Sequence, residues 1–338
     1  MISSLIEALP KAELHIHIEG TLEPELMIKL ARENNVQIPY NSVEEIKKAY
    51  KFKNLEDFLK LYYAGLRVLK DEDDFYTLTM NYLKRANENN VRHAELSFDP
   101  QAHTKRGVKF ENIIEGIHSA LKDGEKKYGI SWLLILSILR DLSVEDAMQT
   151  LTEAQSYTDI IGAIGLDSSE LGNPPSKFEE VFEKAKLLGV HRVAHAGEEG
   201  PPSYIREALS LGVERIDHGV RAIEDEKLMK ALGKMHIPFT LCPLSNLKLN
   251  VVRSLENYPI REFSNAGIIV TINSDDPAYF GGYINKNYEE VAKALNLKPE
   301  EIIELARNSV IASFAYDIRK REILREINEV KRSYLDSA

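Results

Sequence analysis

Eight short β-rich runs punctuate this chain, each followed by a stretch with helical spacing, and that alternation limits the folds open to it. The runs cover residues 13–19, 92–99, 131–140, 160–168, 191–198, 214–220, 237–244 and 268–275. Between them, stretches such as 178–188, 203–211 and 224–235 repeat apolar residues every three or four positions. Gly189, Gly212 and Gly267 follow three of the helical stretches, where a helix end favours left-handed backbone. Strands separated by helices pair in parallel through crossovers. Eight such units predict an α/β fold of the (β/α)8 barrel type, because a doubly wound sheet usually has fewer strands. The first connection, 20–91, is too long for one helix and is expected to hold several, and residues 287–335 read as helices that close the barrel and run beyond it. Residues 1–338 are expected to form one elaborated barrel domain, without a linker or repeat dividing them.

Composition narrows the partners. The chain carries 43 basic and 53 acidic residues, a net charge of −10, which argues against a nucleic-acid backbone or an anionic membrane as partner. A neutral or cationic small molecule fits better. Cys242 is the single cysteine, so neither an intrachain disulfide nor a multi-cysteine zinc site can form. The start of the chain reads without a signal peptide, and the longest apolar run is far too short to span a membrane. A soluble protein of the reducing cytoplasm is expected, and its oligomeric state stays open.

Polar residues collect at the carboxyl ends of the expected strands, the rim where such barrels carry chemistry. His15 and His17 stand two apart on the first strand, so both imidazoles point the same way. They could be a hydrogen-bonded structural pair or two ligands for a transition metal. His195 ends the fifth strand, with Glu198 in the loop beyond Gly197; alone, this is a strand-end histidine before acidic loop residues. His218 ends the sixth strand, and a lone histidine there is more often structural. Asp275 and Asp276 precede Pro277 after the apolar run 268–272, where adjacent acids can also form a turn or cap a helix. Barrel closure brings the eighth strand beside the first, and so Asp275 beside His15 and His17. Three histidines and one carboxylate leave a position open for water, the layout of a catalytic zinc site. Glu198 and His218 remain for proton work, which fits hydrolytic attack on an electrophilic carbon.

Other residues take plainer readings. His93 and His191 fall at strand starts, His103, His118 and His236 in loops or helices, and none is assigned a role. Cys242 reads as a small core hydrophobe. Leu55, Phe58, Leu59 and Tyr62 have the spacing of a helix packed into the core, and residues 70–74 read as a solvated charged turn.

Taken together these residues resemble the adenosine/adenine deaminase family of zinc-dependent amidohydrolases, from Lys11 to about Tyr288. The resemblance is carried by the run from Pro10 to Gly20, by His195-Ala196-Gly197-Glu198, Arg215-Ile216-Asp217-His218-Gly219, Cys242-Pro243-Leu244-Ser245-Asn246 and Ser274-Asp275-Asp276-Pro277. It implies one zinc ion per chain on His15, His17, His195 and Asp275. It also implies proton donation to purine N1 by Glu198, water orientation by His218, and a contact from Asp276 to N7. A backbone contact to N3 falls near Ser168, where nucleoside-acting members carry glycine. Residues 160–170 contain no lysine to bridge a second metal, as binuclear relatives have.

Glu19 stands where nucleoside-acting members have an aspartate on the ribose, and its longer side chain is expected to crowd the sugar. Segments 165–170, 198–202, 244–249 and 276–283 are similar to the adenine-acting subgroup. The resemblance therefore implies hydrolysis of the free base adenine to hypoxanthine and ammonia, in purine salvage and nitrogen release. The alternative within the family is the nucleoside adenosine. A barrel cleaving another amide or a phosphoester, and a purine-binding protein without activity, are the more distant alternatives.

Overall fold

The structure, a computed structural model, describes residues 2–335. Its strands are β1 (Lys11–His17), β2 (Val91–Phe98), β3 (Ser131–Leu139), β4 (Ile161–Asp167), β5 (His191–Ala196), β6 (Arg215–His218), β7 (Pro238–Leu241) and β8 (Ile269–Ile272). They pair in parallel in chain order. The ring shuts through a parallel bridge between Ile16 and Asp275. There the Asp275 N–H donates to the His15 carbonyl at 3.1 Å, and the His17 N–H donates to the Asp275 carbonyl at 3.1 Å. The fold is the expected (β/α)8 barrel.

The strands end sooner than their β-rich letters suggest. The first, and each of the last four, stops two or three residues short of the expected end. Left-handed backbone at Gly197 (φ 73°), His218 (φ 63°) and Asp275 (φ 62°) turns the chain out of the sheet. For His218 and Asp275, which are not glycine, that conformation is costly, and such strain gathers at functional sites. Glu19 lies outside β1, in a 3-10 turn over Glu19–Thr21.

The long first connection holds four helices, Pro24–Glu33, Val43–Ala49, Leu55–Gly65 and Glu72–Glu88. Helices Ile284–Ala294, Pro299–Ile311 and Asp317–Leu335 follow the barrel. A short amino-terminal helix, Ile2–Ala8, had no expectation attached to it. Residues 70–74 are more ordered than a solvated turn: Asp71 caps the helix Glu72–Glu88, and buried Asp74 accepts from Asn34 Nδ2 at 2.7 Å. Among the described residues, no helix is long and apolar enough to cross a membrane.

Inside the barrel the layers follow from the two-residue period of a strand. Ile135, Ala163 and Val193 make a small apolar layer. Two residues on from Ile135 and Val193, on the same face, come buried Ser137 and His195; four on from Ala163 comes Asp167. The floor is polar and largely paired. Arg215 Nη1 meets Glu95 Oε2 at 2.6 Å, Arg215 Nη2 donates to the Leu14 carbonyl, and the guanidinium lies over the Phe314 ring.

Candidate active site

Barrel closure sets Asp275 between the two histidines of β1. Its Oδ1 lies 3.1 Å from His15 Nε2 and 3.4 Å from His17 Nε2. His195, at the end of β5, brings its Nε2 within 3.3 Å of His17 Nε2. One atom from each of these four residues falls within 4.8 Å of the others, and all four are buried. The outer ring nitrogens face oxygens, although His195 Nδ1 makes no hydrogen bond. His15 Nδ1 donates to Thr240 Oγ1 at 3.0 Å, because that hydroxyl gives its own proton to Asp217 Oδ1. Asp217 Oδ2 is 3.7 Å from His195 Nδ1, and Asp167 Oδ2 is 3.4 Å from His17 Nδ1.

This arrangement is a direct test of metal fit. With its proton on Nδ1, His15 turns a bare Nε2 lone pair toward a carboxylate oxygen, and that nitrogen has no hydrogen-bond partner. Buried lone pairs facing each other are costly unless a cation lies between them. Three imidazoles and one carboxylate, with oxygens behind each ring, suit a divalent transition ion such as zinc. Cys242 follows β7, buried, and shares a second possible donor group with His15, His218 and Asp275; burial pushes its thiol up.

Glu198 sits beside this cluster, with Oε1 3.6 Å from His218 Nε2. Its loop is held by a residue without an assigned role from sequence. One carboxylate, that of Glu170, accepts the backbone N–H groups of Gly197, Glu198, Glu199 and Gly200 at 2.6–3.0 Å. Burial pushes the Glu198 carboxyl well above the usual range, and the charges of Asp275 and Glu170 add to the effect. His218 is anchored from behind. Tyr258 Oη donates to Asn246 Oδ1 at 2.7 Å, and Asn246 Nδ2 donates to His218 Nδ1 at 3.1 Å. Burial lowers this imidazole to about 3. Asp276 packs on Gly20, where any Cβ would come within 2.0 Å of Asp276 Oδ1, so glycine is required.

A cavity of about 380 Å³ opens over these groups, reached by His17, His195, Glu198, His218, Asp275 and Asp276. Ser168 lines it as well, in left-handed backbone (φ 69°), with Oγ 2.8 Å from Tyr63 Oη. The helix Leu55–Gly65 is more than core packing: Leu55, Phe58, Leu59 and Tyr62 also form a wall of the cavity.

Glu19 departs from its expected place beside a sugar. It lies outside the cavity walls, fully buried, and its Oε1 accepts from the Asp99 N–H at 3.0 Å and pairs with His103 Nε2 at 2.9 Å. The turn after His17 carries it behind the rim. The carboxylates that do face the cavity on that side are Asp99 and Asp167. Burial and the neighbouring charge of Asp167 push Asp99 well above its ordinary range. Sequence reasoning gave no part to either aspartate, nor to Glu170, Asn246 or Asp217. Asp167, Glu170, Asn246 and Asp217 all lie inside motifs quoted above, which was the available signal.

An eight-stranded parallel barrel with a histidine–aspartate cluster at its carboxyl rim is an amidohydrolase-like architecture. A family model described as adenosine deaminase matches residues 10–330, and the chain belongs to the adenosine deaminase family. It is 55% identical over 329 residues to the adenine deaminase of Acinetobacter baylyi, covering 97% of this chain and 99% of that one. The crystal structure of adenine deaminase from Arthrobacter aurescens is similar at TM-score 0.95 and 48% identity, covering 96% of this chain and all of that one (100%). An amidohydrolase from Burkholderia ambifaria, with bound Zn, shares the fold at TM-score 0.89 and 24% identity, covering 98% and 94%.

Proposed function

We propose that this chain is a zinc-dependent adenine deaminase, hydrolysing adenine to hypoxanthine and ammonia. The observation that carries the reading is the buried Glu198 carboxyl, its Oε1 without a hydrogen-bond partner and 3.6 Å from His218 Nε2, beside a four-residue donor cluster in one small cavity. Full-length relatives named adenine deaminase support the free base over the nucleoside.

His15, His17, His195 and Asp275 would hold one zinc ion, which when bound supplies a water of lowered pKa as nucleophile. Glu198 supplies the proton that N1 needs as C6 becomes tetrahedral, and burial keeps that acid neutral until it is used. His218 accepts from Asn246 at Nδ1, so it turns Nε2–H toward the reacting water and fixes its approach. Asp276 meets N7, and Ser168 lies by N3. One proton of the added water restores Glu198 and the other passes to the amino group, which leaves from C6 as ammonia while the ring regains its conjugation. We read residues 1–338 as one barrel domain, and the compartment as the cytoplasm, in keeping with a lone buried cysteine.

The test is ammonia release from purine bases and nucleosides by zinc-loaded protein. Adenine is expected to exceed adenosine in kcat/KM by at least ~100-fold, about 2.7 kcal/mol of transition-state discrimination. Equal or better turnover of adenosine would overturn the free-base assignment.

A further inference from the structure

We propose that Asp99 and Asp167 form the recognition site for the N9–H of the bound base, and so exclude purines substituted at that nitrogen. The proposal rests on the adenine reading above. Asp99 directly follows β2 and Asp167 ends β4, with β3 between them, and both line the cavity. Each is 2% exposed. Asp99 Oδ1 and both oxygens of Asp167 make no hydrogen bond among the described residues, although Asp167 Oδ2 faces His17 Nδ1 at 3.4 Å. One oxygen from each lies within 4.8 Å of the other and of a His17 nitrogen. A proton shared between the two would satisfy one oxygen, and carboxylate oxygens this deeply buried are costly to leave unpaired, so the pair calls for a further donor from the cavity itself.

The hydrogen-bonding pattern of adenine says which donor that is. With N1 at Glu198 and N7 at Asp276, the N3–N9 edge of the ring turns to the polar wall that remains. That wall is Asp99, Asp167 and Ser168. When N7 is unprotonated, the imidazole proton of the neutral base resides on N9, where it needs an acceptor. Even with one proton shared between them, Asp99 and Asp167 keep carboxylate oxygens free to accept. Protonation of N1 during the reaction makes N9–H more acidic, so this contact strengthens toward the transition state. A nucleoside has carbon in place of that proton: it forfeits the hydrogen bond and buries two carboxylates against an apolar group. Glu19 acts from behind, since its carboxylate holds the Asp99 backbone in place.

The test compares kcat/KM for adenine and 9-methyladenine, using the zinc-loaded full chain, Asp99→Ala and Asp167→Ala, with metal content measured for each. The unmodified protein should prefer adenine by at least ~100-fold. Each variant should lose at least ~10-fold on adenine and bring the two substrates to within ~10-fold of each other. Asp167 is near His17, so if Asp167→Ala loses metal, Asp99→Ala and the unmodified protein decide the matter. Turnover of 9-methyladenine by the unmodified protein within ~10-fold of adenine overturns the proposal. So does an equal loss on both substrates in Asp99→Ala, which marks a merely structural wall, or a second metal ion bound at the pair. A protein inert toward adenine but active on another purine fails the functional reading, and this proposal with it.

Discussion

At the floor of the barrel, Glu95 and Arg215 meet at 2.6 Å, both wholly buried, with His93 and the Phe314 N–H completing the carboxylate's partners. At the rim, Glu198 Oε1, His15 Nε2, Asp276 Oδ1 and both oxygens of Asp167 are as deeply buried and have no hydrogen-bond partner. The two clusters occupy one interior and share one burial penalty. The floor offsets most of that penalty internally, with Arg215 Nε left unpaired, while the rim leaves it for a ligand to offset. Deep polar groups therefore divide by whether the protein satisfies them itself. Satisfied ones should govern stability, and unsatisfied ones should govern chemistry.

The sharpest way to break this contrast is His17→Ala, which should lower metal content and turnover together, by well over the ~100-fold typical of losing an outer-shell partner. Elemental analysis beside ammonia release checks it. Next, Glu198→Gln should keep the metal and the melting temperature but lose ~10²–10⁴-fold in kcat. The unmodified enzyme should lose activity as pH rises through the raised Glu198 pKa, and the variant should lack that limb.

At the floor the pattern should reverse. Glu95→Gln leaves Arg215 buried without its anion and should cost ~3–5 kcal/mol in denaturant unfolding, with kcat of the folded enzyme nearly unchanged. Glu170→Gln is expected to loosen the Glu198 loop and lower kcat ~10-fold at constant metal content. The smallest effect concerns pH and stability. Burial alone would raise Glu95, but Arg215 and His93 bring it from 4.5 down to about 2. Its contribution is therefore complete above about 4.5 and lost as pH falls toward 2. The melting-temperature gap between the unmodified protein and Glu95→Gln should narrow across that window.

The barrel was legible because strand and helix periods are local properties of the letters. His15, His17, His195 and Asp275 were legible because a strand-end position and a two-residue period already say where such side chains point. Glu19 was misplaced for the converse reason: its reading assumed that the strand ran on, whereas the chain turns at Ile18 and hides the carboxylate. Leu55, Phe58 and Tyr62 show the same helical spacing whether they face core or cavity, so periodicity could not separate the two. Glu170, Asn246 and Asp99 act across loops from different strands. Their partners are set by barrel register, which no local window contains.

The bridge at Asp275 has a consequence for how the protein matures. The residue whose backbone joins the last strand to the first is also the residue whose side chain meets His15 and His17. Ring closure and pocket assembly are thus one event. A chain stalled with its seam open would lack the fourth donor, so ion capture would double as a check that folding has finished. An ion on these four side chains would also tie the first, fifth and eighth strands together, and mass action would then hold shut the junction that local pairing secures least.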